Sequence, residues 1–184
     1  MVKAIFFDWM RTLANIGELV PLNHILNKDE SKNLLTNPIE NLNISEEKKR
    51  EIRKVLSDVK DIRLYPDSEE VISLLKSNYH LAIVSNMYPI TNDFVRKFFQ
   101  SFLNKFDVVS LSIETGFSKP DKNFLLYTLN NLNKIKGTNI KPNEVLVIGD
   151  SETHDIKPAL EAGMKAKIIN RENENLKDIL GDLI

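Results

Sequence analysis

The chain of 184 residues has no cysteine, which removes thiol nucleophiles, zinc thiolate sites and disulfide frameworks together. Glycine is scarce. Its six copies form no Gly-rich phosphate loop, so nucleotide-triphosphate and dinucleotide folds have no support. An excess of one charge is also missing: 25 Lys and Arg against 26 Asp and Glu give a formal net charge of −1. Nothing is left over to track a nucleic-acid backbone, and no nucleic-acid partner is expected. The apolar run that follows Met1 meets Asp8 too soon for a signal peptide or a membrane span, so the expected location is the cytoplasm. What is present is 42% hydrophobic and 28% charged residues, enough for one folded domain or one domain with a small insert. Its chemistry must use oxygen and nitrogen groups.

Five short apolar runs punctuate the chain: Lys3 to Phe7, Leu81 to Val84, Asp107 to Ile113, Val145 to Ile148 and Ala166 to Ile169. Strands of this kind belong to a parallel sheet covered on both faces. Helical patterns lie between them. Asp67 and Glu70 have capping-box spacing at the head of a helix reaching Asn78. From Thr91 to Leu103, Phe94, Val95, Phe98, Phe99 and Phe102 predict a core-facing stripe. Pro120 suits the first turn of a helix through Phe124, Leu125 and Leu129. A short helix from His154 to Ala162 closes on Gly163. This alternation predicts an α/β fold, a Rossmann-like parallel sheet with helices on both faces.

Between residues 14 and 63 the alternation stops. No convincing strand is visible there, but a charged helix is expected from Ser45 to about Lys60, with Ile52, Val55, Leu56 and Val59 as its apolar face. One or two shorter helices are expected between Leu19 and Leu35. The division expected is an α/β core of residues 1–13 and 64–184 with a small helical cap insert, 14–63, after the first strand. Such an insert can serve as packing or as a lid over a site.

The positions of the polar residues are informative. Asp8, Ser85-Asn86 and Gly149-Asp150 each stand where an apolar run ends. In a parallel sheet these ends share one edge, and ligands bind in the crevice outside it. An Asp or Ser at any one strand end also serves as a helix cap or turn residue. Together they suggest more. Asp8 and Asp150 are suited to a shared divalent cation, and Mg2+ is normally held by one or two carboxylates plus substrate phosphate oxygens. A Ser85 hydroxyl can donate to a phosphate oxygen and Lys119 can balance its charge. Asp8 is also free to act as a nucleophile.

These residues resemble the haloacid dehalogenase-like (HAD) superfamily of hydrolases. Phe6-Phe7-Asp8-Trp9-Met10-Arg11-Thr12-Leu13 is similar to its nucleophile motif, Ile83-Val84-Ser85-Asn86 to the second, and Ser118-Lys119-Pro120-Asp121 to the third. Gly149-Asp150-Ser151 with Asp155 and Ala162-Gly163-Met164 is similar to the fourth. The resemblance implies that Asp8, Ser85 and Lys119 are catalytic, with Asp8 forming an aspartyl-phosphate that water hydrolyses. It implies that Thr12, Ser85, Asn86 and Lys119 meet the phosphate or substrate. Asp8, the backbone carbonyl of Met10, Asp150 and Asp155 would hold Mg2+, and the partner would be a small phosphorylated substrate. No role is assigned to His154.

One departure matters. Phosphatases of this family usually carry a second aspartate two residues after the nucleophile, as acid to the leaving group and base to water. Here that position is Met10, which can do neither, and general acid–base help is typically worth about 10²–10⁴-fold. Arg11 stands where glycine is usual. The first reading is therefore a magnesium-dependent phosphohydrolase, favouring good leaving groups. A catalytically weak or silent relative that binds a phosphorylated ligand or partner is the alternative, and a metal-independent haloacid dehalogenase is a further one.

Overall fold

Near-continuous runs of β-branched and other apolar residues, bounded by turn-formers, produce the main-sheet strands. A computed structural model describes residues 1–16, 22–57 and 61–184. The strands are β1 (Ala4–Phe7), β2 (Ala14–Ile16), β3 (Ile62–Leu64), β4 (His80–Ser85), β5 (Val108–Leu111), β6 (Val145–Gly149) and β7 (Lys165–Ile168). The helices are α1 (Lys28–Leu34), α2 (Glu46–Ser57), α3 (Ser68–Leu75), α4 (Pro89–Phe98), α5 (Gln100–Leu103), α6 (Ser112–Thr115), α7 (Lys122–Lys136), α8 (Lys157–Glu161) and α9 (Leu176–Leu180). Among the described residues, no helix is long and apolar enough to cross a membrane.

The main sheet has the order β5-β4-β1-β6-β7, and every pairing in it is parallel. Successive side chains of a strand point to opposite faces. Ile5, Phe7, Leu81, Ile83, Leu146 and Ile148 accordingly pack on one side with Val71, Ile72 and Leu75 of α3 and with Leu176 and Leu180 of α9. Ala4, Phe6, Ala82, Val84, Val145 and Val147 pack on the other with Phe124, Leu125, Leu129 and Leu132 of α7 and Ala159 of α8. Each large side chain fully buried in these layers contributes roughly 1.5–3 kcal/mol of transfer free energy. This is the α/β, Rossmann-like fold expected. Phe7 pairs with Ile83 on one side and Ile148 on the other, which sets the chain positions after all three strands at one edge.

The segment after β1 has its own apolar cluster, in which Leu22, Ile25, Leu26, Leu34, Ile39, Leu42, Ile52 and Leu56 are buried. Tyr88 and Ile90, just beyond β4, pack against it, and the Tyr88 and Ser31 hydroxyls lie 3.2 Å apart. Helices form there as expected. Asn27 and Glu30 make a capping box at the head of α1, and the Ser45 hydroxyl accepts from the Lys48 N–H ahead of α2. Residues 19–21 and 58–60 of the two expected helices lie outside the described residues.

Several local expectations are corrected. The stretch 14–63 does contain strand: β2 pairs antiparallel with β3, Ala14 opposite Leu64 and Ile16 opposite Ile62. Three-residue strands are too short to show a period. Asp67 makes no side-chain cap on α3; its carboxylate accepts instead from Arg171 at 3.0 Å and from the Leu176 N–H. The helix placed at Pro120 begins at Lys122, because the Asp121 carboxylate accepts from the Asn123 N–H and caps it there. The run ending at Ile113 stops as a strand at Leu111 and turns into α6. The aromatic stripe breaks between α4 and α5, burying Phe102 while Phe98 stays 62% exposed. The run at 166–169 is the sheet's edge strand, and Ile168 is exposed.

Candidate active site

Asp8 is the first residue after β1, and its backbone N–H donates to the Ile148 carbonyl at 2.9 Å. That bond extends the sheet's ladder by one step and seats the Asp8 carboxyl inside the edge, where it is 6% exposed. Ser85 ends β4, and its hydroxyl donates to Asp8 Oδ1 at 3.0 Å. Lys119 comes from the loop between α6 and α7. Its Nζ donates to Asp8 Oδ1 and to Asp155 Oδ1, both at 2.6 Å. Ser85 and Lys119, 77 and 111 positions from Asp8, thus share one of its oxygens.

Asp155 reaches the cluster because residues 152–156 form a wide π-helical turn. Its Oδ2 accepts from the Ser151 N–H at 3.0 Å, and the residue is 2% exposed. Gly149 makes room for it. A Cβ at Gly149 would collide with the Asp155 carboxyl group, so the strand must end without a side chain there. Asp150 is half-buried beside them. Carboxylate oxygens of Asp8, Asp150 and Asp155 lie within 4.8 Å of one another.

The electrostatics follow from crowding and burial. Burial raises the Asp8 pKa, and the Asp155 and Asp150 charges add to it; Lys119 opposes them, and the net value is about 6. Asp150 is also raised, by burial first and by Asp155 next, with Arg11 and Lys119 opposing. For Lys119, burial alone would lower the pKa, but Asp8 and Asp155 outweigh it and the net shift is upward. The ammonium is therefore held charged. Three carboxylates against one ammonium leave two negative charges in excess, and hard oxygen donors at this spacing suit a small divalent cation.

The residues expected to meet are brought together with two changes of part. Asp8, Ser85, Lys119, Asp150 and Asp155 form the cluster. Asn86 does not face an open phosphate site with both ends of its amide: Oδ1 accepts from the Lys119 N–H at 2.8 Å and Nδ2 donates to the Lys119 carbonyl at 2.9 Å. It fixes the backbone that carries the ammonium. Thr12 is fully buried, and its hydroxyl finds no protein partner. Met10 is half-buried against the apolar core. Arg11 is exposed and holds φ at 55°, the left-handed conformation for which glycine is the usual residue. His154 is exposed, with Nδ1 near the Ser151 and Thr153 hydroxyls. A cavity of about 470 Å³ opens between Lys32, Asn33 and Thr36 of the insert and the loop containing Phe117, Ser118 and Pro120.

Two roles lie beyond sequence reasoning, the room Gly149 makes for Asp155 and the hold of Asn86 on the Lys119 backbone. Gly149 carried a signal, a glycine ending a strand directly before an aspartate. The second use of Asn86 carried none, because its partner is 33 residues away.

The model of the haloacid dehalogenase-like hydrolases matches residues 11–163. The chain belongs to this family. As a HAD-like hydrolase it shares its fold with several solved structures. One is a predicted HAD-like family hydrolase from Porphyromonas gingivalis, 20% identical, covering 100% of this chain and 98% of that one, with a TM-score of 0.74. A 2-haloacid dehalogenase from Pseudomonas syringae is 17% identical, covering 95% and 89%, with a TM-score of 0.68. A HAD family enzyme from Bacteroides thetaiotaomicron, in complex with magnesium and inorganic phosphate, is 15% identical, covering 97% and 99%, with a TM-score of 0.70. Among curated proteins, none matches the sequence. Both a dehalogenase and a phosphate-binding member thus share the fold of this HAD-like hydrolase, and its own residues must decide its chemistry.

Proposed function

We propose that the protein is a magnesium-dependent phosphohydrolase acting on a small phosphorylated substrate through Asp8. The observation that carries this reading is the cluster itself: a buried carboxylate with Ser85 and Lys119 on one oxygen, and two further carboxylates within 4.8 Å. A carbon–halogen hydrolase needs no metal, and the extra carboxylates are better used around a cation. The Bacteroides enzyme binds magnesium and phosphate, in keeping with the same chemistry here. Asp8, Asp150, Asp155 and the Met10 carbonyl would hold the cation. When bound, it would offset the charge of the phosphate and hold it in place.

The chain's own groups perform the rest. Asp8 attacks phosphorus, and the bond to the leaving oxygen breaks as the aspartyl-phosphate forms. Ser85 and Lys119 hold the phosphoryl oxygens through charge-assisted hydrogen bonds, and the ammonium offsets the charge spread over them. Water then attacks phosphorus, the bond to Asp8 breaks, and the carboxylate is restored. Met10 gives the leaving group no proton, so aryl and acyl phosphates are the favoured class. The insert, residues 14–63, acts as a cap, and its Lys32, Asn33 and Thr36 share a cavity with Ser118 and Pro120 on either side of Lys119.

Hydrolysis of p-nitrophenyl phosphate tests this directly. Release of nitrophenol should require Mg2+, stop with chelator, and disappear in Asp8→Asn. Halide release from 2-haloacids without metal would replace the reading with the dehalogenase one. Binding of phosphate or vanadate with no turnover on any ester would favour a silent binding protein, the reading that Met10 supports.

A further inference from the structure

Arg171 lies outside the stretch matched by the family model, yet it is bound to the nucleophile loop. Its side chain is 5% exposed and all three guanidinium nitrogens donate hydrogen bonds. Nε donates to the Thr12 carbonyl at 2.8 Å, one terminal nitrogen to Asp67 Oδ2 at 3.0 Å, and the other to the Ser68 hydroxyl at 3.2 Å. Its plane lies over the Tyr65 ring, 4.3 Å from the centroid. The Ser68 hydroxyl in turn donates to the Leu13 carbonyl at 2.8 Å. Two successive carbonyls of the returning leg of the loop are therefore held, one by Arg171 and one through a residue that Arg171 holds.

The other leg is fixed by the sheet, through the Asp8 N–H and the Ile148 carbonyl. Between the legs the chain turns tightly, with the Leu13 and Ala14 N–H groups on the Trp9 carbonyl and the Arg11 N–H on the Ala14 carbonyl. Arg11 is in the left-handed region within this turn, a conformation that lasts only where the surroundings impose it. A planar five-donor group can serve a carbonyl, a carboxylate and a hydroxyl at once, which an ammonium on a flexible stem cannot do in the same geometry.

We propose that Arg171 is a positioning residue for the nucleophile loop, clamping Thr12 so that Asp8 and the Met10 backbone keep their place at the sheet edge. The role rests on the phosphohydrolase reading only for its kinetic consequence. Its structural consequence has an independent reporter. Trp9 is the sole tryptophan, directly follows Asp8, and is fully buried with Phe99 and Phe102 edge-on to it.

The test compares Arg171→Met, Arg171→Lys and Leu180→Ala. Leu180→Ala loosens the same carboxyl-terminal segment without removing a bond to the loop. Arg171→Met should raise acrylamide quenching of Trp9 severalfold and lower kcat on p-nitrophenyl phosphate about tenfold or more, with KM within about twofold. Arg171→Lys should be intermediate in both. Leu180→Ala should keep both near wild type. Should Arg171→Met fail to fold, Arg171→Lys carries the test. Wild-type quenching in the Arg171 variants, or an equal effect of Leu180→Ala, overturns the proposal. If the wild-type protein hydrolyses no phosphate ester, the phosphohydrolase reading fails, and Trp9 quenching alone decides the clamp.

Discussion

Asp8→Asn should make the metal-free protein more stable at neutral pH, although it destroys the nucleophile. The Asp8 carboxyl ordinarily titrates at 3.8 and is pushed to about 6 in the fold, by burial first and by Asp155 and Asp150 after the opposing effect of Lys119. A raised acid is bound to its proton more tightly when folded. Its contribution is therefore fully present below 3.8 and lost as pH rises through 6. About two pKa units at 1.36 kcal/mol each come to about 3 kcal/mol of stability missing at pH 7. Asn imitates the protonated carboxyl and escapes that cost. For a chain this long, 1 kcal/mol moves the melting temperature by roughly 2–4 °C, so Asp8→Asn should melt on the order of 10 °C higher at pH 7 in chelator. The gap should close as the pH is lowered toward 4. Added Mg2+ should narrow it from the other side, because a cation binds the ionised wild type and stabilises it by about 2.7 kcal/mol at a hundredfold excess over Kd. Differential scanning calorimetry at pH 4 and 7, with chelator and with Mg2+, reads all four corners. If Asp8→Asn melts below the wild type at pH 7 in chelator, the attraction of Lys119 exceeds the cost of burial and the argument is wrong.

Gly149→Ala should drive the Asp155 carboxyl from its place, because a Cβ there collides with it; overpacking of this kind costs about 1–3 kcal/mol. Calorimetric titration with Mg2+ should show weakened binding, and unchanged affinity would remove Asp155 from the metal site. Met10→Asp should restore a proton donor beside Asp8 and raise phosphate release from alkyl phosphates by about 10²-fold. No gain would point to a binding role or to a donor elsewhere. Arg11→Gly should raise the melting temperature, since relief of the left-handed strain at φ 55° is worth about 1–2 kcal/mol and glycine's extra chain entropy returns about half of it. A lower melting temperature would show that the Arg11 side chain stabilises the fold.

The legible part of this protein is the part written locally. Asp8, Ser85 and Asp150 could be placed together because a parallel sheet aligns strand ends, and each strand ends where its apolar run meets a polar residue. Lys119 ends no strand and enters on its charge alone, and Asp155 needs the family resemblance. The order of strands followed from neither, and the pair β2 and β3 was invisible because three residues carry no period. Asp67 departs from its expected cap for a physical reason. Its spacing to Glu70 fits a capping box, but Arg171, 104 positions away, offers the same carboxylate a charge-assisted bond. Asn86 lies in a motif that is recognisable, yet its side chain is taken up by the Lys119 backbone. A motif reports proximity to the site more dependably than it reports which atom touches the ligand.

The antiparallel ribbon of β2 and β3 has a practical meaning. With Ile16 opposite Ile62, the polypeptide departs from the sheet layers and comes back at nearly the same point, a few ångströms apart as in any such ladder. Everything between could be exchanged for another segment, or for a short hairpin turn, with the parallel strands left in register. The ribbon is thus a natural splice point, at which one segment could replace another without disturbing the sheet edge that carries Asp8.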